Sequence, residues 1–123
     1  LNCIYFKKNW ELLSDFNIEL INSIKKFINI NTLTYVSSSL DPVGSSTYLL
    51  IDLIQKCGGE IYLSGKGGAK YQDENLFKES GINLQYTNFN HPQYPQLWGG
   101  FVEGLSIIDL LFNVEKNRFR AIL

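Results

Sequence analysis

The segment TYLLIDLIQKCGGEIYLSGKGGAKYQDENLFKESGINLQYT (47–87) alternates two helical patterns with two strand-like ones. Gly58-Gly59 and Gly81 stand where glycines in the left-handed region commonly end helices. In chain order the segment predicts a helix, a strand, a glycine loop, a helix and a strand, at 47–57, 60–64, 65–70, 73–80 and 82–87. Strands that alternate with helices in this way are typical of a parallel sheet.

The flanking sequence adds one long helix and one further strand. Apolar residues at 13, 16, 20, 24 and 27 have helical spacing, so an amphipathic helix is predicted over 10–28. The β-rich TLTYVSS (32–38) is predicted as a buried strand. The shorter predicted elements are an extended segment at 2–6, a helix at 107–113 and a helical tail at 116–123.

These elements predict an α/β fold with a three-layer β-α-β-α-β core, in which helices flank a mainly parallel sheet. The 123 residues are enough for one domain, 1–123, that buries its core without disulfides. The chain has no methionine and opens on an apolar, strand-like segment. We therefore expect a fragment, the C-terminal part of a longer protein.

Charge and composition exclude several classes of function. The net charge is −1 with no lysine or arginine stripe, so no nucleic-acid partner is expected. No apolar run reaches the ~18 residues of a membrane span. One histidine and two cysteines without a CxxC pair provide no metal site. Cys3 and Cys57 are predicted to be reduced, mostly buried thiols of a cytoplasmic protein.

The unusual loops of the chain all follow predicted strands. They are SSLDPVGSS (38–46), GKGGAK (65–70) and NFNHPQYPQLWGG (88–100). Loops that follow parallel strands leave from the same edge of the sheet, and open α/β sheets bind ligands at that edge. The sequence therefore predicts a ligand site built from these loops.

The glycine loop has two interpretations of similar weight. Backbone N–H groups around Ser64, Gly65 and Gly67, with the charge of Lys66, could hold an anion. Alternatively, the glycines serve only a tight turn. The loop matches neither GxxxxGK[ST] nor GxGxxG, so a P-loop or a dinucleotide fingerprint is not indicated.

Candidate acid–base groups are His91, Asp73 and Asp109. The histidine suits proton transfer near neutral pH, or it holds its loop in shape through backbone hydrogen bonds. Asp73 is more typical of a helix cap, whereas Asp109 lies in the apolar LSIIDLLF and needs a partner. Tyr71, Tyr94 and Trp98 could stack on a sugar or base, or could simply pack.

Two long motifs carry a resemblance to a known family. YLSGKGGAKYQDENLFKESGINLQY (62–86) and HPQYPQLWGGFVEGLSIIDLLFN (91–113) resemble the WbqC-like family, and the resemblance runs from about Trp10 to Asn113. This chain departs from the family pattern with an extra glycine in Gly67-Gly68-Ala69 and with Val114 after the final motif. The resemblance implies bacterial O-antigen or other surface polysaccharide biosynthesis, and an N-terminal half that this chain lacks.

The resulting hypothesis is a transferase that adds an aminoacyl or acyl group to a nucleotide-activated amino sugar. His91 would be the general base, oriented by Asp73 or Asp109. The expected substrate contacts are Ser64, Gly65, Lys66, Gly67, Tyr71, Tyr94, Gln96 and Trp98. The alternative is a non-catalytic binding or scaffold module of the same pathway, and a homo-oligomer paired through a sheet edge is a third hypothesis. The sequence leaves the cofactor unknown.

Overall fold

The structure is a computed structural model that describes residues 1–6 and 9–122. The α-helices are α1 Asn2–Phe6, α2 Leu13–Phe27, α3 Ser46–Lys56, α4 Glu74–Glu79, α5 Ile107–Asn113 and α6 Phe119–Ile122. The strands are β1 Ile61–Ser64 and β2 Asn83–Tyr86, and 3₁₀ helices cover Ser37–Leu40, Lys66–Lys70 and Lys116–Arg118. The chain divides into two compact units, the central unit (Thr34–Asn90) and the terminal unit (Leu1–Leu33 with His91–Leu123).

The central unit is built on a parallel pair of strands. Ile61 of β1 pairs with Asn83 of β2, and Ser64 pairs with Tyr86. Helix α4 connects the two strands, as parallel pairing requires a crossover. This arrangement confirms the α/β class and a parallel sheet, with both loops that follow the strands leaving from one edge.

The core of the central unit surrounds Phe77, whose side chain is fully buried. Ile51 of α3 and Ile82 before β2 complete the buried cluster. The ring of Tyr62 stacks on Phe77 with centroids 5.4 Å apart and an interplanar angle of 16°. Burying an aromatic or aliphatic side chain of this size stabilises a fold by roughly 1.5–3 kcal/mol, so α3, α4 and the strands hold one another in place.

The terminal unit packs aromatic side chains around its helices. Trp10 donates from its indole Nε1 to the carbonyl oxygen of Ile4 at 2.7 Å. Its ring meets Phe16 edge-on at 5.7 Å between centroids. Leu110 of α5 and Phe119 of α6 are buried. Helix α2 is amphipathic, as predicted, but none of its residues is fully buried.

Two predicted strands are wrong. Residues 2–6 form helix α1 instead of an extended segment. Residues 31–36 have no regular structure, and Ser37–Leu40 is a 3₁₀ helix, where a strand was predicted over 32–38. A β-rich sequence needs a neighbouring strand to supply hydrogen bonds, and 31–39 is solvent-exposed throughout. Within residues 1–6 and 9–122 the sheet therefore has two strands, and the three-layer core is not confirmed.

The cysteines also differ from the prediction. Cys3 and Cys57 are free thiols, and both are exposed where burial was predicted.

Among the described helices, none has the length and apolarity to cross a membrane.

Candidate functional site

The glycine segment after β1 is a 3₁₀ turn built around Gly68. Ser64 ends β1 as a buried residue, and its Oγ donates to the carbonyl oxygen of Gly65 at 3.3 Å. A Cβ placed on Gly68 would overlap Ser64 Oγ and approach Nε2 of Gln72 to 2.9 Å. Gly68 is thus required for a close approach of side chains to the backbone. Lys66 and Gly67 are exposed on the same turn.

An open cavity of about 710 Å³ lies in the central unit beside this turn. Its wall comes from the start of α3 and from the segment that leads into α4, namely Ser46, Thr47, Tyr48, Lys70, Tyr71, Gln72, Asp73, Glu74, Asn75 and Leu76. The residues Tyr48 and Tyr71 are 62% and 79% exposed. Of the residues predicted to bind substrate, Tyr71 lines this cavity.

Asp73 is the N-cap of α4. Its Oδ1 accepts from the backbone N–H of Asn75 at 3.0 Å and of Leu76 at 3.4 Å. Its own N–H donates to Oγ1 of the buried Thr47 at 3.0 Å, which ties the start of α4 to the start of α3. The carboxylate is therefore engaged in the capping role that its sequence position favoured.

In the terminal unit, Asp109 is the centre of a hydrogen-bond network. Its Oδ2 accepts from the phenol of Tyr94 at 2.8 Å and from Nε2 of Gln96 at 3.0 Å. Its Oδ1 accepts from Nδ2 of Asn113, one helical turn later, at 3.1 Å. The Asp109 carboxylate, which lies in an apolar sequence, thus accepts hydrogen bonds from three side chains. These bonds offset the cost of removing a partly buried carboxylate from water.

The carboxamide of Gln96 also closes the loop that follows it. Nε2 donates to the carbonyl oxygen of Val102 at 3.0 Å, and Oε1 accepts from the N–H of Val102 at 2.8 Å. The Gln96 side-chain amide therefore makes the same pair of hydrogen bonds to the Val102 backbone that a neighbouring strand would make. Trp98 lies on the enclosed turn and is 87% exposed. The network therefore fixes the base of the turn and leaves the indole in solvent.

His91 precedes this network and is exposed. Its Nε2 lies 3.9 Å from the position that a Cβ on Gly104 would take. Gly104 has a φ of +74°, a conformation that disfavours any other residue. The imidazole thus lies close to the far end of the histidine loop, which we define as residues 88–106.

Partial burial and the hydrogen bond to Asp109 both raise the pKa of Tyr94 above its ordinary value. Tyr86 behaves similarly in the central unit, where burial and a 2.9 Å hydrogen bond to Glu74 raise its pKa. Both phenols are therefore neutral donors at physiological pH.

The predicted site residues fall into two sets. Ser64, Gly65, Lys66, Gly67, Tyr71 and Asp73 belong to the central unit, and His91, Tyr94, Gln96, Trp98 and Asp109 belong to the terminal unit. Tyr94, Gln96 and Asp109 are joined directly.

The sequence did not single out Asn113 or Gln72, although Asn113 stands four residues after Asp109 on one helix. In the part of the chain that is described, no three His, Cys, Asp or Glu residues are grouped to hold a metal ion.

Comparison with known proteins assigns the chain to a family. The family model described as "WbqC-like protein family" matches residues 1–121. The chain belongs to the WbqC-like family. This WbqC-like chain is also 35% identical over 112 residues to the "Uncharacterized protein Rv1507c" of Mycobacterium tuberculosis strain H37Rv. That match covers 90% of this chain and 48% of the mycobacterial protein, so the chain spans about half the length of this relative. No solved structure gives a significant match.

Proposed function

We propose that this WbqC-like protein is a cytoplasmic enzyme of bacterial surface polysaccharide biosynthesis, such as O-antigen assembly. In this proposal it transfers an aminoacyl or acyl group to the amine of a nucleotide-activated amino sugar. The observation that carries the proposal is the histidine loop. Asp109, Tyr94 and Gln96 fix its backbone, while His91 and Trp98 remain exposed on it. A loop that is held rigidly and presents an imidazole and an indole is suited to binding and proton transfer.

In this mechanism His91 is the general base. The amine nitrogen of the sugar attacks the carbonyl carbon of an activated acyl donor, a thioester or an acyl adenylate. His91 accepts the proton that the amine loses, the new amide bond forms, and the thiolate or AMP departs with the electron pair of the broken bond. Imidazole side chains are suited to accepting a proton in reactions near neutral pH.

The other predicted residues bind and position. The indole of Trp98 offers a flat apolar face to a sugar ring. Gly65, Lys66 and Gly67, all exposed on the turn after β1, are proposed to contact a phosphate group through the charge of Lys66 and the backbone of the turn, and the buried Ser64 positions this turn. Asp109 acts by positioning the loop, because its carboxylate oxygens already accept from Tyr94, Gln96 and Asn113. Asp73 positions α4 in the same indirect way.

A second candidate function is a non-catalytic module that binds a sugar or a partner protein in the same pathway. It is favoured by the mutual satisfaction of Tyr94, Gln96 and Asp109, which resembles a structural clamp more than a reactive constellation. In this alternative Trp98 is a binding anchor and His91 has no chemical role.

One experiment separates the two functions. The full-length protein is incubated with amino-sugar nucleotides and either acyl-CoA or ATP plus amino acids, and the sugar product is followed by mass spectrometry. His91→Ala should lower turnover by about 10²–10⁴-fold, as loss of a general base does, while the dissociation constant for the sugar nucleotide is retained. Gln93→Ala, at an exposed neighbouring position, is the matched control. Equal turnover of His91→Ala and wild type would remove the catalytic role, and binding without any product would support the module.

A further inference from the structure

We infer that β1 is a docking surface for a second copy of this chain, which adds its own β1 in antiparallel orientation. In the described part of the chain β1 pairs with β2 alone, and we call the long side of β1 that faces away from β2 the open edge. The inference rests on this edge and is independent of the chemistry proposed for the histidine loop. The product is a symmetric dimer in which the two sheets join into one.

The register of the sheet determines which backbone groups face the open edge. The carbonyl oxygens of Glu60 and Ser64 accept from N–H groups of the segment 83–87 at 2.9 Å and 2.8 Å, so both residues direct their backbone toward β2. Successive residues of a regular strand point these groups to alternate sides. Ile61 and Leu63 therefore direct their N–H and C=O groups to the open edge.

The side chains of the same two residues make this part of the sheet apolar. Ile61 is 59% exposed and Leu63 is 61% exposed, on the face opposite Tyr62, whose ring stacks on Phe77. The strand IYLS contains no charged residue and no proline, which are the devices that usually prevent an edge strand from pairing with another chain. The open edge of β1 is therefore suited to the addition of a strand.

The open edge is complementary to itself when the second strand runs antiparallel. If Tyr62 lies opposite Tyr62 of the second copy, Ile61 lies opposite Leu63 of the second copy, and the reverse pair forms as well. Ile61 and Leu63 can then exchange their outward N–H···O bonds, as the hydrogen-bonded pairs of an antiparallel ladder do. The apolar side chains of both copies form one row on the same face, and such cross-strand pairs stabilise a sheet.

Charge at the two ends of β1 favours the same arrangement. Glu60 precedes the strand and Lys66 follows it, and both residues are exposed. Antiparallel pairing brings the acidic end of each copy to the basic end of the other, whereas parallel pairing would place like charges side by side. This charge complementarity and the matching apolar row together specify a second copy of the chain, in this orientation, as the occupant of the open edge.

The test is sedimentation velocity of the full chain over a series of concentrations, together with amide hydrogen exchange. A short edge gives a small interface, so we expect a reversible dimer whose population rises with concentration. The amides of Ile61 and Leu63 should gain protection as the dimer forms, whereas those of Tyr62 and Ser64, which face β2, should be protected throughout. A chain that stays monomeric up to about 1 mM overturns the inference. A dimer that leaves Ile61 and Leu63 unprotected also overturns it, as does protection that needs a different protein.

Paired charge variants test the register. A chain with Ile61→Lys and Leu63→Lys places like charges opposite each other in its own dimer, which should raise the dissociation constant at least about tenfold. A chain with Ile61→Glu and Leu63→Glu should behave in the same way. Mixing the two chains should restore a dimer, because each introduced lysine then lies opposite a glutamate.

The control for these variants is Ile21→Lys, at an apolar position of α2 that is 53% exposed. It adds a similar charge to a different exposed apolar surface and should dimerise as wild type does. The hydrogen exchange of the unaltered chain does not depend on how the variants fold. Equal dimerisation of the double lysine chain and wild type, no recovery on mixing, or loss of the dimer in Ile21→Lys would contradict the assignment to β1.

Discussion

The phenol of Tyr94 donates a 2.8 Å hydrogen bond to Oδ2 of Asp109, a residue 15 positions further along the chain. This contact links the Pro-rich histidine loop to helix α5. Gln96 reinforces the link through the same carboxylate oxygen. The residues that the sequence marks as most unusual therefore hold the loop, and Trp98 and His91 are among its exposed side chains.

Asp109→Asn should destabilise the terminal unit by about 1–3 kcal/mol, because an amide at this position cannot accept all three side-chain donors and leaves buried polar atoms unpaired. Urea denaturation followed by tryptophan fluorescence measures the change. Tyr94→Phe removes a single donor and should cost about 0.5–1.5 kcal/mol. A stability of Asp109→Asn equal to that of wild type would show that the network contributes nothing to the fold.

The Tyr94 phenol should lose its proton at a higher pH than an ordinary tyrosine, because burial and the hydrogen bond to Asp109 raise its pKa above 10.0. A group whose pKa is raised on folding contributes stability that is complete below the unfolded pKa and is lost as the pH rises through the folded pKa. The stability advantage of wild type over Tyr94→Phe should therefore disappear only above about pH 10. Phenolate absorbance follows the titration, and its change at high pH should become smaller in Tyr94→Phe, while the contribution of Tyr86, whose pKa is also raised, remains. If the absorbance change at high pH is the same in Tyr94→Phe as in wild type, that change belongs to another tyrosine.

Gly68→Ala should destabilise the central unit by about 1–3 kcal/mol, because the new Cβ overlaps Ser64 Oγ and crowds Gln72. Gly67→Ala is the matched control, since its Cβ would meet nothing within 4 Å. Thermal unfolding of the two variants side by side isolates the steric effect. Equal melting temperatures would show that Ser64 and Gln72 move aside at no cost.

Asp73→Ala should cost about 1 kcal/mol, the usual effect of removing a helix N-cap. Asp73→Ser restores an oxygen acceptor for the N–H groups of Asn75 and Leu76 and should recover most of this stability. Chemical denaturation of the pair measures the difference. A serine variant as unstable as the alanine variant would indicate that the aspartate charge, rather than the cap, stabilises α4.

Asp52 should make the central unit sensitive to acid. The hydrogen bond from Lys56 Nζ and then that from the Val43 N–H hold the pKa of Asp52 below 3.8. A group whose pKa is lowered on folding contributes stability above its unfolded pKa and loses it as the pH falls through the folded value. The difference in melting temperature between wild type and Asp52→Asn should be constant near neutral pH and shrink below about pH 3.8.

Lys56→Met, which removes the partner, should show a weaker acid dependence than wild type. A difference that persists unchanged at lower pH would contradict the pairing.

Local patterns predicted much of the secondary structure. The apolar stripe of α2, the glycines after α3 and α4 and the alternation in β2 are each visible within one element, because helix and strand periods depend on neighbouring residues. Asp73 as the cap of α4 belongs to the same class, since a cap contacts only the next three residues. The sequence also showed the extra glycine in the WbqC-like motif. It did not show that the side chain of Gln72 packs closely against Gly68.

Contacts between distant residues decided the rest. TLTYVSS has a strand composition, but a strand forms only where another offers an edge, and no pattern within 32–38 reports whether one does. The sequence by itself determined the family, the helix periods and the parallel β1–β2 pair. Only the tertiary structure determined that Asp109 binds Tyr94 and Gln96, and that Gln72 lines a cavity with Tyr48. Those relationships join residues far apart in the chain, and they depend on how the backbone brings the side chains together rather than on spacing.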